Sequence, residues 1–138
     1  MSRFGGYPTM PSMVLPDEST YYFRSARSAL IAFLSEIGAS KIYLPNYICK
    51  NLSDPVKELI DTSFYSINEN FEPIGDINLK RNEYILYVNY FGILEKNIDV
   101  VISRFGNEKV IVDNSHSFNF RSSDAVATVH SPRKFLPI

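Results

Sequence analysis

Apolar positions along the chain follow two rhythms. Between 25 and 37, Leu30, Phe33, Leu34 and Ile37 recur at helical spacing and predict an amphipathic helix, with Ser25 as N-cap and Gly38 as stop. Residues 41–44 read as a short buried strand stopped by Pro45. Asp54 and Pro55 predict the first turn of a short helix with Val56, Leu59 and Ile60 on its inner face. Residues 63–67 form the next strand, closed by Asn68-Glu69-Asn70, and 71–82 shows no clear period. Residues 84–88 are β-formers throughout. Ile98, Val101, Ile102 and Phe105 mark a further helix, with Asn97 as cap and Gly106 as stop. Two last strands, 109–112 and 125–129, are separated by a turn at Arg121-Ser122-Ser123-Asp124. Residues 1–20, with Pro8, Pro11, Pro16, Gly5 and Gly6, predict an extended arm.

Strands alternating with helices over short connections predict an α/β fold with a mostly parallel sheet covered on both faces, a three-layer αβα sandwich. Strand direction alone then brings four polar segments to one edge: Asn46-Tyr47, Asn89, Asp113, and the run from His130 to Lys134. In an open α/β sheet that edge is where ligands bind. A carboxylate (Asp113) and a primary amine (Lys134) facing one crevice suit pyridoxal phosphate. The amine attaches to it covalently, and the acid keeps its ring nitrogen protonated. At the first helix, the small polar turn Ser25-Ala26-Arg27-Ser28 combines free N–H groups, the positive end of the dipole and a cation, which suits an anion.

Val112-Asp113-Asn114-Ser115-His116 followed by Ser131-Pro132-Arg133-Lys134-Phe135 resembles the DegT/StrS sugar aminotransferases, pyridoxal-phosphate enzymes of fold type I. The resemblance runs from about Arg24 onward and includes Ser25-Ala26-Arg27-Ser28 and Asn89-Tyr90-Phe91-Gly92. It implies that Lys134 and Asp113 are catalytic. Backbone amides at Ala26, Arg27 and Ser28, with Ser131, would hold the cofactor phosphate. Tyr47 and Cys49 would lie against the ring, Ser115 beneath it, His116 near its hydroxyl, and Asn89 at the same edge. The implied reaction is amination of a nucleotide-linked keto-sugar by an amino donor. Lysine rather than histidine at position 134 favours transfer over dehydration. The resemblance also implies a seven-stranded sheet in which the strand after the lysine inserts between 41–44 and 125–129. Residues 21–138 are then the N-terminal part of a pyridoxal-phosphate transferase large domain, without its C-terminal half and small domain. Two central edges are expected to stand open, so that the chain is unstable alone, forms a homo-oligomer, or is complemented by a separate C-terminal part. Alternatives are a truncated non-catalytic remnant and an α/β module binding a phosphorylated metabolite.

Composition narrows the field. A length of 138 residues, 45% hydrophobic and 21% charged, is one domain able to bury a core. A net charge of -1 gives no basis for a nucleic-acid or anionic-membrane partner. The single cysteine, Cys49, excludes an internal disulfide and fits a reducing, cytoplasmic setting. The N-terminus lacks the apolar stretch of a signal peptide, and no run approaches the length of a membrane span. Asp113 read alone suits a helix cap or a metal ligand, and His116 a surface loop. No set of His, Cys and acidic residues at ligand spacing supports a metal, and nothing orients Cys49 with His116 or His130 as a thiol dyad.

Overall fold

A computed structural model describes residues 21–117 and 124–135. The N-terminal arm, most of the turn at Arg121-Ser122-Ser123-Asp124, and residues 136–138 lie outside them.

The first helix, α1 (Ala26–Glu36), begins where its sequence says it should. Ser25 is extended and its Oγ accepts the Ser28 amide at 3.1 Å. Gly38, at φ +60°, ends it. Strand β1 (Lys41–Pro45) follows, then α2 (Lys50–Leu59), β2 (Asp61–Ile67), the two-residue β3 (Pro73–Ile74), β4 (Glu83–Val88), α3 (Glu95–Phe105), β5 (Val110–Asp113) and β6 (Ala127–Val129). The six strands form one sheet in the order β3-β2-β1-β4-β5-β6, parallel except for β3.

That order corrects the expectation of an open central edge at β1, whereas β6, paired with β5, is the last strand of the order. Strand β1 lies between β2 and β4, with Ile42 opposite both Thr62 and Tyr84. Its ladders are therefore made on both sides, and no further strand can insert beside it.

Side chains of the central strands alternate between two apolar clusters, as strand geometry requires. Ile42, Leu44, Leu86, Ile111 and Val129 join Leu30 and Leu34 of α1 and Leu52 and Val56 of α2. Tyr65, Ile85, Tyr87, Val110 and Val112 join Ile98 and Val101 of α3. The fold is thus α/β, with a mixed, mostly parallel sheet and helices packed onto it.

Three local expectations change. Helix α2 starts at Lys50 rather than Asp54, so Pro55 is interior. Proline has no N–H for the carbonyl four residues back, which is Asn51. The Arg27 guanidinium donates to that carbonyl at 2.8 Å instead, so the helix continues through the gap. Its inner face is Leu52 and Val56, while Leu59 is 47% exposed. Asn97 does not cap α3: it lies inside the helix and donates to the Asn70 carbonyl. The acceptor at that helix start is Asn89 Oδ1, which takes the Leu94 amide at 2.9 Å. In 71–82 the unread element is β3. The Asn68 side chain turns the chain into it by accepting the amides of Asn70 and Glu72, each at 2.9 Å.

Candidate functional site

Because β1, β4, β5 and β6 are parallel, their carboxyl ends share one edge of the sheet. Apolar strands end there in polar residues. Asn89, Asp113, Asn114, Ser115 and Ser131 are all buried, an unusual concentration of polar groups for an interior. Each backbone or side-chain partner that the structure shows is local to this edge.

Asp113 is the last residue of β5, opposite Val129 of β6. It is 7% exposed, and its Oδ1 accepts the Ser115 amide at 2.9 Å. The register carries the chain from Val129 through His130 into a short 3₁₀ turn, Pro132–Lys134, where the Lys134 amide donates to the Ser131 carbonyl at 3.1 Å. The Lys134 side chain is exposed while Ser131 is buried. A buried acid thus ends β5, and an exposed lysine lies in the turn that follows the neighbouring β6.

Two histidines link them electrostatically. Desolvation lowers the pKa of His116 from its usual 6.5, the Lys134 ammonium lowers it further, and Asp113 opposes the shift. His130 is half-buried. Desolvation lowers its pKa as well, again against the pull of Asp113. His116 thus feels both Lys134 and Asp113, and His130 feels Asp113.

Beside this polar group stands an aromatic wall. The Tyr47 ring is 61% exposed and stacks on Tyr90 at 5.6 Å between centroids. The Tyr90 hydroxyl donates to the Tyr47 carbonyl at 2.9 Å, which fixes the pair. Burial raises the Tyr90 pKa, with Tyr87, Tyr47 and Asp113 adding to it, so the wall adjoins the acid. Phe71 packs on Tyr90 at 5.0 Å and on Phe91 at 5.7 Å. Sequence reading found Tyr47 but not the support behind it, because Phe71 falls in the aperiodic stretch.

The loops are held close. A Cβ at Gly92, where φ is +71°, would lie 2.3 Å from the His116 carbonyl oxygen, so only glycine lets the β4–α3 connection approach that loop. Asn89 is fully buried, with both ends of its side chain engaged: Nδ2 donates to Asn114 Oδ1 at 2.8 Å and Oδ1 accepts from Leu94.

The remaining candidates are more peripheral. Ala26 packs its methyl toward the α1 cluster. The amides of Ala26 and Arg27 open α1 and have no carbonyl four residues back within it, while the Ser28 amide is taken by Ser25. Arg27 commits one guanidinium nitrogen to α2. Cys49 is exposed at the start of α2. A surface hollow lined by Lys57, Leu59, Ile60 and Thr62 lies at the amino end of β2, the opposite edge of the sheet from this chemistry. Among the described residues no helix is long and apolar enough to cross a membrane.

No protein-family model matches the chain, and comparison with curated proteins returns no match.

Proposed function

We propose that the chain is a pyridoxal-phosphate-dependent aminotransferase-like protein whose site is the carboxyl edge of β1, β4, β5 and β6, within a three-layer αβα sandwich. The observation that carries the reading is a buried acid, Asp113, at the end of β5 opposite Val129, with an accessible amine, Lys134, in the turn that follows β6. The donor set fits the cofactor. Asp113 is desolvated and already accepts one amide, so it can hold a proton on a ring nitrogen without competition from water. Tyr47 offers one open face to a planar ring. The first-turn amides of α1 and the buried Ser131 hydroxyl suit a phosphate.

When bound, the cofactor supplies an electron sink for the carbon that carries the amine. The chain's own residues then divide the work. Lys134 would hold the cofactor through its Nζ, and the same Nζ would carry the proton that transfer chemistry has to move. Asp113 holds the ring-nitrogen proton. His116, kept toward its neutral form by desolvation and by Lys134, accepts or donates a hydrogen bond without adding charge. The resemblance supports a nucleotide-linked keto-sugar as acceptor, an amino donor, a homo-oligomeric or complemented assembly and a cytoplasmic setting.

The test is direct. Pyridoxal phosphate is added to the protein, absorbance above the protein band is followed, and borohydride fixes the adduct before peptide mapping. A single adduct at Lys134 is expected. No adduct, or one spread over surface lysines such as Lys50, Lys57 and Lys96, overturns the reading. Phosphate-dependent protection against unfolding without any adduct points instead to a binder of phosphorylated metabolites.

A further inference from the structure

We propose that Asn89 is the positioning residue of this site: it sets Asp113 through the backbone and through Asn114, without itself touching a ligand. The inference rests on the assignment of Asp113 given above, and it is carried by four hydrogen bonds that converge on one buried residue.

Asn89 closes β4. Its amide donates to the Asp113 carbonyl at 2.9 Å, and its Nδ2 donates to Asn114 Oδ1 at 2.8 Å. The peptide that joins Asp113 to Asn114 is therefore gripped on both sides. Rotation about it would swing the Asp113 carboxylate away from the Ser115 amide it now accepts. The Asn114 amide donates in turn to the Val129 carbonyl at 2.8 Å, the last residue of β6 before the run to Lys134. The Asn89 and Asn114 amides thus tie the ends of β4, β5 and β6 in sequence, and the bond between the two side chains braces that link. On its other side Asn89 Oδ1 accepts from Leu94, and its carbonyl accepts from the Gly92 amide at 3.1 Å. Those two bonds hold the connection that packs against the His116 carbonyl. A residue that met a ligand would keep part of its surface open. Asn89 has none, and both polar ends of its side chain are occupied within the protein.

No shorter or simpler residue can do this. Serine lacks the reach, aspartate lacks the donor for Asn114, and leucine offers neither the acceptor that the Leu94 amide uses nor the donor to Asn114 Oδ1.

The experiment is amide hydrogen exchange, followed residue by residue by NMR on the cofactor-free chain. Asn89→Ala removes both side-chain bonds. Asn114→Ala removes the bond between the two asparagine side chains and leaves the Leu94 and Asp113 bonds of Asn89 in place, so it serves if the first variant does not fold. In both, exchange at Ser115 is expected to rise at least tenfold, while Ile111 and Val112 within β5 stay within twofold. With pyridoxal phosphate present, Lys134 is still fixed by borohydride, but the pH midpoint of the absorbance band moves. Unchanged Ser115 exchange overturns the proposal. So does a rise shared equally by Ser115 and the strand amides, because that is loss of scaffold rather than of positioning. Failure of the unsubstituted chain to bind pyridoxal phosphate, with the Ser115 effect intact, removes the cofactor assignment and leaves the positioning of Asp113 standing.

Discussion

Removing one hydroxyl from the second apolar cluster should cost a large share of this chain's stability. Tyr65 is buried, and its hydroxyl donates to the Leu86 carbonyl at 2.7 Å. The reason lies in β1. The β1–β4 ladder runs from Lys41 opposite Glu83 to Tyr43 opposite Ile85 and stops. The next donor toward β4 in a parallel ladder is the N–H of residue 45, which is proline and has none. Tyr65, paired with Pro45 on the neighbouring strand, reaches across and supplies the missing donor. In Tyr65→Phe the Leu86 carbonyl keeps its burial and loses its partner, a penalty of about 1–3 kcal/mol. For a domain of this length that is roughly 3–5 °C of melting temperature per kcal/mol. Urea and thermal unfolding of the two proteins measure it. The decisive arm is Pro45→Ala, which restores an N–H aimed at the same carbonyl. It should recover at least half the loss in the Tyr65→Phe background and little or nothing in the unsubstituted chain. A Tyr65→Phe shift below about 0.5 kcal/mol, or equal effects of Pro45→Ala in both backgrounds, refutes the reasoning.

Four further outcomes follow from the same structure. Lys134→Ala should abolish the borohydride-fixable absorbance with pyridoxal phosphate while moving the melting temperature little, since the side chain is exposed; a retained chromophore counts against Lys134. Asp113→Asn keeps an acceptor for the Ser115 amide and so should leave fold and cofactor binding intact. Transamination should fall by about 10²–10⁴-fold, and unchanged turnover in an active preparation removes Asp113 from its role. Gly92→Ala combines a left-handed φ with a backbone clash at His116 and should destabilise by about 2–4 kcal/mol in urea unfolding. His130, with its pKa lowered in the folded chain, binds fewer protons folded than unfolded. Its contribution to stability is whole above the usual 6.5 and is lost as pH falls below it, so melting temperatures between pH 5 and 8 should show a shallower acid slope in His130→Gln.

Much of the site was legible because it depends on where strands end, and strand ends are local. The Val110–Asp113 run is uniformly apolar up to its acid, and Asp113 emerges at the carboxyl edge in sequence and structure alike. The same holds for Asn46-Tyr47 after β1 and for Asn89 after β4. The roles of these residues were less legible, since they depend on partners that no window contains. Asn89 looks like any polar residue at a strand end until its bonds to Asn114 and Leu94 are seen. Tyr47 looks like a lone exposed ring until Tyr90 stands behind it. The strand order that the resemblance implies differs from the observed one, and the residues alone do not decide it. Alternating elements predict parallel strands and right-handed crossovers, but they do not say on which side of β1 the chain places β2 and β4.

The two prolines show where local rules stop. Pro45 and Pro55 each remove a donor, and read locally Pro45 should end its strand and Pro55 should stand in the first turn of its helix. Neither expectation holds fully: β1 keeps its ladder to β2 through Pro45, and α2 runs through Pro55 to Leu59. In each case a side chain from another element replaces the absent N–H, Tyr65 toward Leu86 and Arg27 toward Asn51. A proline therefore marks a boundary only when no distant donor can reach the orphaned carbonyl, and that depends on the fold rather than on the neighbouring residues. The consequence reaches the site. Arg27 stands in the first turn of α1, beside the amides suited to a phosphate, yet its guanidinium also completes α2. Arg27 couples the orientation of that turn to the integrity of α2, whose N-cap is Cys49, two residues beyond Tyr47. A residue that local reading takes for a simple cation thus also completes a neighbouring helix.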